Sequence, residues 1–115
     1  MADIDYIKEN RLEDTGFAHT IQLIGGKYKM QTLYALRLNH TPLRYNALKR
    51  LLTPISFKML TNTLQELEVA GLVYREVFPQ VPPKVEYSLT SLGESLIPVM
   101  DEICTWGEQH QHSNG

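Results

Sequence analysis

From Phe17 onward the apolar positions fall into blocks with helical spacing, interrupted once by a block that alternates. "FAHTIQLIGG" places Phe17, Ile21 and Ile24 on one side of a helix and ends it at Gly25-Gly26. "KYKMQTLYALRL" repeats the pattern with Tyr28, Thr32, Leu33, Ala35 and Leu36, which predicts a second helix ending near Asn39. Asn46 is expected to cap a third, "ALKRLL", terminated by Pro54 after Thr53. Ser56 opens the most regular helix, "SFKMLTNTLQELEVAG", whose seam is Leu60, Leu64 and Leu67 and whose stop is Gly71.

The alternating block is different in kind. "LVYREVF" and "KVEYSLT" are rich in β-branched and aromatic residues, and the second puts Val85, Tyr87 and Leu89 on one face, with Lys84, Glu86 and Ser88 on the other. For the first run, periodicity does not decide whether Tyr74 or Arg75 faces the core. The five residues between them, "PQVPP", are too few for a helix, so the two runs are expected to form an antiparallel hairpin with a proline-stiffened tip. Beyond it, Ser91 and Glu94 have capping-box spacing, and Leu92, Leu96, Val99, Met100, Ile103 and Trp106 draw one long apolar stripe. Pro98 inside that stripe is expected to bend the helix locally.

These elements imply a single domain over residues 15–110, a flexible N-terminal arm over 1–14 and a disordered tail over 111–115. The fold class is α+β, mainly α: four helices, a hairpin and a last helix, with helices three and four joined by a short connection. That order is expected to make a winged helix-turn-helix with extra terminal helices, in which the fourth helix enters the major groove of DNA and the hairpin lies along the backbone. At ~100° per residue, Lys58, Asn62 and Gln65 fall opposite the leucine seam, with Thr61 at the flank. The stiff hairpin would hold Lys84 and Arg75 where a phosphate or the minor groove can meet them.

Charge supports this reading once its distribution is considered. The net charge of the 115 residues is −2, yet Lys27 to Lys84 carries nine Lys/Arg against three acids (Glu66, Glu68, Glu76), while both ends are acidic. A basic centre between acidic ends suits a phosphate-facing surface on an otherwise soluble chain. The single cysteine, Cys104, allows no internal disulfide. No apolar run has the length of a membrane span and no export signal is visible, so the expected location is the cytoplasm. The four histidines are scattered or in the tail and no catalytic grouping or phosphate loop occurs, so the chain is read as no enzyme, with no cofactor and no metal.

"LIGGKY", "PLRYNAL", "ISFKMLTNTLQELEVAGLVYR" and "VPPKVEYSLTSLGESLIPVM" closely resemble the HxlR-type transcription regulators, a winged-helix group related to MarR. The resemblance covers nearly all of the chain after Thr15. It implies a homodimeric repressor or activator that binds a pseudo-palindromic operator in double-stranded DNA. Its subunits would pair through the first and last helices, whose stripes supply Phe17, Ile21, Ile24, Leu96, Met100, Ile103 and Trp106. Ser56, Lys58, Thr61, Asn62 and Gln65 become candidates for base or phosphate contact in the major groove, and Arg44 and Lys27 resemble backbone-positioning residues. Such a regulator is compatible with a small-molecule effector, which no residue names. Family members commonly begin the ordered region with Cys-Pro; here Thr15-Gly16 stands there, so thiol sensing through that position is not expected. Tyr28 stands where the family usually has tryptophan. The rival expectation is a winged helix that docks another protein and does not bind specific DNA; the polar outer face of the fourth helix argues against it, because such interfaces centre on apolar anchors.

Overall fold

The computed structural model describes residues 11–111. Residues 1–10 of the expected arm and 112–115 of the expected tail lie outside them. Leu12–Asp14 form a 3-10 turn that leads into Thr15, the cap of helix α1 (Gly16–Ile24). The Thr15 hydroxyl donates to Leu12 O at 2.7 Å and accepts from Ala18 N at 3.1 Å. Thr15 therefore caps α1 through its hydroxyl, at the position where the family resemblance leads one to expect cysteine. Gly26, at φ 109°, turns the chain into α2 (Lys29–Asn39).

Helix α3 (Tyr45–Leu51) begins two residues earlier than the sequence pattern suggests. Arg44, in extended conformation, is the N-cap, and Asn46 lies inside the first turn. Its end is as expected in kind: the Thr53 hydroxyl donates to Arg50 O at 2.9 Å, and Pro54 has no N–H with which to continue. Ser56 caps α4 (Phe57–Val69) by accepting from Met59 N at 3.0 Å, and Gly71 at φ 78° ends it.

Strands β1 (Val73–Phe78) and β2 (Lys84–Leu89) pair antiparallel with Val73 opposite Leu89 and Phe78 opposite Lys84. Leu43 adds a two-bond bridge to Tyr87 on the other edge of β2, at 2.9 and 2.8 Å. So β2 is the inner strand and β1 the outer one. That position settles what periodicity left open: Val73 is buried at the start of β1, while both Tyr74 and Arg75 are exposed beyond the edge of the core.

Two expectations about the last helix are corrected. Thr90, rather than Ser91, is the cap, accepting from Gly93 N at 3.0 Å while its hydroxyl donates to Gly71 O at 2.6 Å. The helix is also not continuous: a single turn, α5 (Ser91–Glu94), is followed by α6 (Ile97–His110). Pro98 sits in the first turn of α6, where the N–H it lacks has no intrahelical partner, so it starts the helix and does not bend it.

The core joins Leu33 and Leu36 of α2, Leu48 of α3, Leu60, Leu64 and Leu67 of α4, and Leu72, Val73 and Tyr87 of the hairpin region. Ile24 and Met100 enter it from the terminal helices. Arg37 reaches Asp101 at 3.6 Å and ties α2 to α6. The arrangement is a winged helix-turn-helix with a helix at each end. It is elongated, 58 × 36 × 25 Å, with a radius of gyration of 16.6 Å, against about 13 Å for a compact chain of 100 residues.

Among the described glycines the closest approach lies between α5 and the residue before β1, where a Cβ on Gly93 would run into the Leu72 carbonyl. Gly93→Ala should lower stability in urea unfolding by about 1–3 kcal/mol. Gly16→Ala, where a Cβ meets nothing within 4 Å, should leave stability at or above that of the parent chain.

Candidate nucleic-acid interface

The geometry of the interface follows from how α4 is held. Leu60 and Leu67 are 0% exposed, Leu64 is buried beside them, and Thr63, which the apolar pattern did not mark, completes the inward side. With the seam inward, Lys58, Asn62 and Gln65 all emerge on the opposite side and all are exposed. Asn62 and Gln65 border a groove of about 530 Å³ whose other wall is Gln22, Leu23 and Lys29. Lys29 lies 3.1 Å from Glu66. That pair closes the basic residue onto the rear half of the helix and leaves Lys58 as the cation of the outward face.

At the front of α4 the side chains are partly committed to the protein. Ser56 accepts the Met59 N–H, which leaves its own proton free for an outside acceptor. Thr61 is half-buried and shares a hydrogen bond of 3.0 Å with Tyr45 Oη. Tyr45 also donates to Phe57 O at 2.9 Å, and its ring lies 5.0 Å from that of Phe57. Sequence patterning passed over Tyr45. The available signal was the placing of aromatic residues directly after the caps of two consecutive helices, Arg44-Tyr45 and Ser56-Phe57.

The remaining cations are spread around this face. Arg44 is exposed at the N-cap of α3, and Arg75 is exposed on the outer strand of the hairpin. Lys27 lies in the turn before α2, with its ammonium 5.3 Å from the Tyr28 ring centre. Lys84 is the most constrained: half-buried, 3.3 Å from Glu86 and 4.8 Å above the Phe78 ring. Its charge is locally balanced, so meeting a phosphate requires it to leave Glu86. The hairpin tip does project, and Val81 is fully exposed.

The apolar residues of the terminal helices divide into two sets. Ile24 and Met100, at 4% and 3% exposure, are spent inside the chain, and Leu96 is half-buried against the core. Phe17 at 68% and Trp106 at 65% are open, as are Ile21, Val99 and Ile103. The single stripe drawn from sequence on the last helix is thus two: Met100 and Cys104 face α2, while Val99, Ile103 and Trp106 face outward. Cys104 accepts a bond of 3.4 Å from Tyr34 Oη. That bond, and then the charge of the thiol's ionised form, raise the Tyr34 phenol above the usual tyrosine value. Among the described residues no group of three His, Cys, Asp or Glu is placed to hold a metal, and no helix is long and apolar enough to cross a membrane.

Comparison with known proteins agrees with this layout. Residues 23–114 match the family model described as HxlR-like helix-turn-helix. An HTH-type transcriptional regulator of Halalkalibacterium halodurans is 46% identical over 106 residues, spanning 92% of this chain and 93% of that protein. The HTH-type transcriptional regulator YkvN of Bacillus subtilis is 53% identical over 92 residues, 80% of this chain and 76% of that one. Among solved structures, the redox regulator HypR in its reduced form superposes with a TM-score of 0.81 at 40% identity, covering 86% of this chain and 96% of HypR. The HTH-type regulator YtcD gives 0.79 at 44% identity, covering 84% and 96%.

Because the Ser56 hydroxyl is what fastens the front of α4, Ser56→Ala should lower unfolding stability in urea by about 0.5–2 kcal/mol. Ser56→Asp, which retains an acceptor at the cap, should recover most of that loss.

Proposed function

This chain belongs to the HxlR-like helix-turn-helix family of transcriptional regulators, and from that premise we propose that it reads a specific, pseudo-palindromic duplex as a homodimer. The observation that carries the reading is the outward face of α4. Lys58, Asn62 and Gln65 are exposed together opposite a buried leucine seam, on a helix whose front end is capped by Ser56. Asn and Gln side chains each offer one donor and one acceptor, the pair that adenine presents in the major groove, while Lys meets guanine or phosphate. Arg44 and Arg75 act as sequence-independent phosphate contacts, as do Lys27 and, once released from Glu86, Lys84. Each cation that neutralises a phosphate releases counterions, so affinity falls steeply with salt.

The elongated shape supports the dimer. Phe17, Ile21, Ile103 and Trp106 are large apolar side chains left open on the terminal helices. A twofold axis pairing the two ends buries these surfaces symmetrically and sets two α4 helices side by side, one helical turn of DNA (about 34–36 Å) or a multiple apart. Residues 85–115 contain five acids and no Lys or Arg, so the pairing also keeps the acidic end off the DNA. HypR is described as a redox regulator. Here Thr15 is a helix cap and Cys104 the sole cysteine, so no thiol chemistry is proposed at the N-terminal position. An effector has room beside α6, where Met30, Tyr34, Met100, Ile103 and Cys104 line a mostly apolar hollow of about 280 Å³.

Selection of duplexes from a random pool tests the DNA reading. The parent chain is expected to enrich one motif with two related half-sites, and Asn62→Ala or Gln65→Ala to relax preference at individual positions. Arg44→Ala and Arg75→Ala should weaken all sequences alike and lower the salt slope by about 1 each. Equal loss on every sequence from Asn62→Ala would take base reading away from this face. For the dimer, Ile103→Asp combined with Trp106→Ala is expected to give a monomer by sedimentation equilibrium, with operator affinity greatly reduced. An unchanged dimer mass would place the interface elsewhere.

A further inference from the structure

Tyr45 is the first residue of α3 and Phe57 the first residue of α4, so one aromatic pair stands where both helices begin. Phe57 is largely exposed, with its ring beside Tyr45 and under the Lys49 ammonium, 5.9 Å from the ring centre. Burial therefore does little to hold this corner, and its polar contacts matter correspondingly more. Tyr45 Oη lies 2.9 Å from Phe57 O and 3.0 Å from Thr61 Oγ1. A phenol carries one proton and a carbonyl oxygen only accepts. Both contacts are hydrogen bonds only if Tyr45 donates to Phe57 O and Thr61 donates to Tyr45 Oη. The chain runs one way, from Thr61 through Tyr45 to the backbone of the first turn of α4.

We infer that Tyr45 is a positioning residue for base reading: its hydroxyl pins the first turn of α4 to α3 and, by taking the Thr61 proton, makes Thr61 a hydrogen-bond acceptor toward the DNA. This rests on the proposal that α4 occupies the major groove. A free threonine hydroxyl serves donors and acceptors alike. With its proton committed, Oγ1 offers only lone pairs. The major-groove donors are adenine N6–H and cytosine N4–H, whereas guanine O6 and N7 and thymine O4 are acceptors. Thr61, half-buried at the flank of the reading face, thus favours adenine or cytosine on the strand it faces and disfavours guanine and thymine. The selectivity comes from a residue, Tyr45, on the neighbouring helix.

Tyr45→Phe keeps the ring against Phe57 and removes only the hydroxyl. Duplexes selected by the parent chain, Tyr45→Phe, Thr61→Val and the double variant form one arm of the test. Tyr45→Phe should keep its circular dichroism spectrum and nonspecific affinity. At one position per half-site, its discrimination for adenine or cytosine should fall about threefold to tenfold, the scale of a single net hydrogen bond. Thr61→Val should lose preference at that same position, and the double variant should lose no more than the larger single effect. An unchanged motif from Tyr45→Phe, or an equal loss on all sequences, would overturn the inference. Should Tyr45→Phe fail to fold, Thr61→Val decides: retained preference at every position would overturn it. The second arm needs no DNA. Amide hydrogen exchange of Leu60 and Thr61 in the free protein should quicken about threefold to tenfold in Tyr45→Phe, and unchanged exchange would overturn the pinning. A parent chain that enriches no motif, with exchange quickened in the variant, would sink the DNA proposal and with it the base preference assigned to Thr61, while the pinning stood.

Discussion

The rotational setting of α4 governs the rest of the molecule. Leu60 and Leu67 have no exposed surface and Leu64 almost none, and each such side chain contributes on the order of 1.5–3 kcal/mol through burial. Turning the helix by one residue, ~100°, would bring all three leucines out of the core together, so the angle is fixed far more firmly than any surface contact could fix it. Lys58, Asn62 and Gln65 consequently face outward as a group. The elements that receive the seam are α2 through Leu33 and Leu36, α3 through Leu48, and the strand region through Leu72 and Tyr87. Two of them also support a peripheral cation: α3 carries Arg44 at its cap, and the hairpin carries Arg75. One buried seam thereby orders both α4 and its surroundings.

The ends of the chain answer to a second constraint. A core of this size takes one turn from each terminal helix, Ile24 from α1 and Met100 from α6, and leaves the next turn of apolar side chains outside. Phe17 and Ile21 on one helix, and Val99, Ile103 and Trp106 on the other, are more than a monomer needs. Pairing with a second copy, as proposed above, would cover this excess of apolar surface. The proposed DNA-reading and pairing faces occupy different elements, so the two roles would not compete for surface.

Much of this was readable in the residues, wherever the deciding interaction is local. Gly25-Gly26, Gly71 and the Ser56 cap fixed three helix boundaries, because positive φ and a side chain three residues from its target depend on neighbours in sequence alone. Boundaries set by tertiary contacts were not readable. Thr90 is preferred over Ser91 as a cap partly because its hydroxyl reaches Gly71 O, nineteen residues away. Arg44, not Asn46, begins α3 because Leu43 is held in the bridge to Tyr87. Pro98 changed meaning once the helix broke before it. In the candidate site, the exposed trio on α4 was legible from period alone, whereas the pairing of Lys84 with Glu86, the use of Thr61 by Tyr45 and the inward turn of Met100 depend on which faces meet.

The most direct test of the central claim is to follow backbone amide resonances of the labelled protein while titrating the duplex it selects. Perturbations are expected to concentrate on residues 56–65, at Arg44 and along the hairpin, with Ile103 and Trp106 unmoved as DNA is added. Perturbations centred on α6, with 56–65 unchanged, would contradict it.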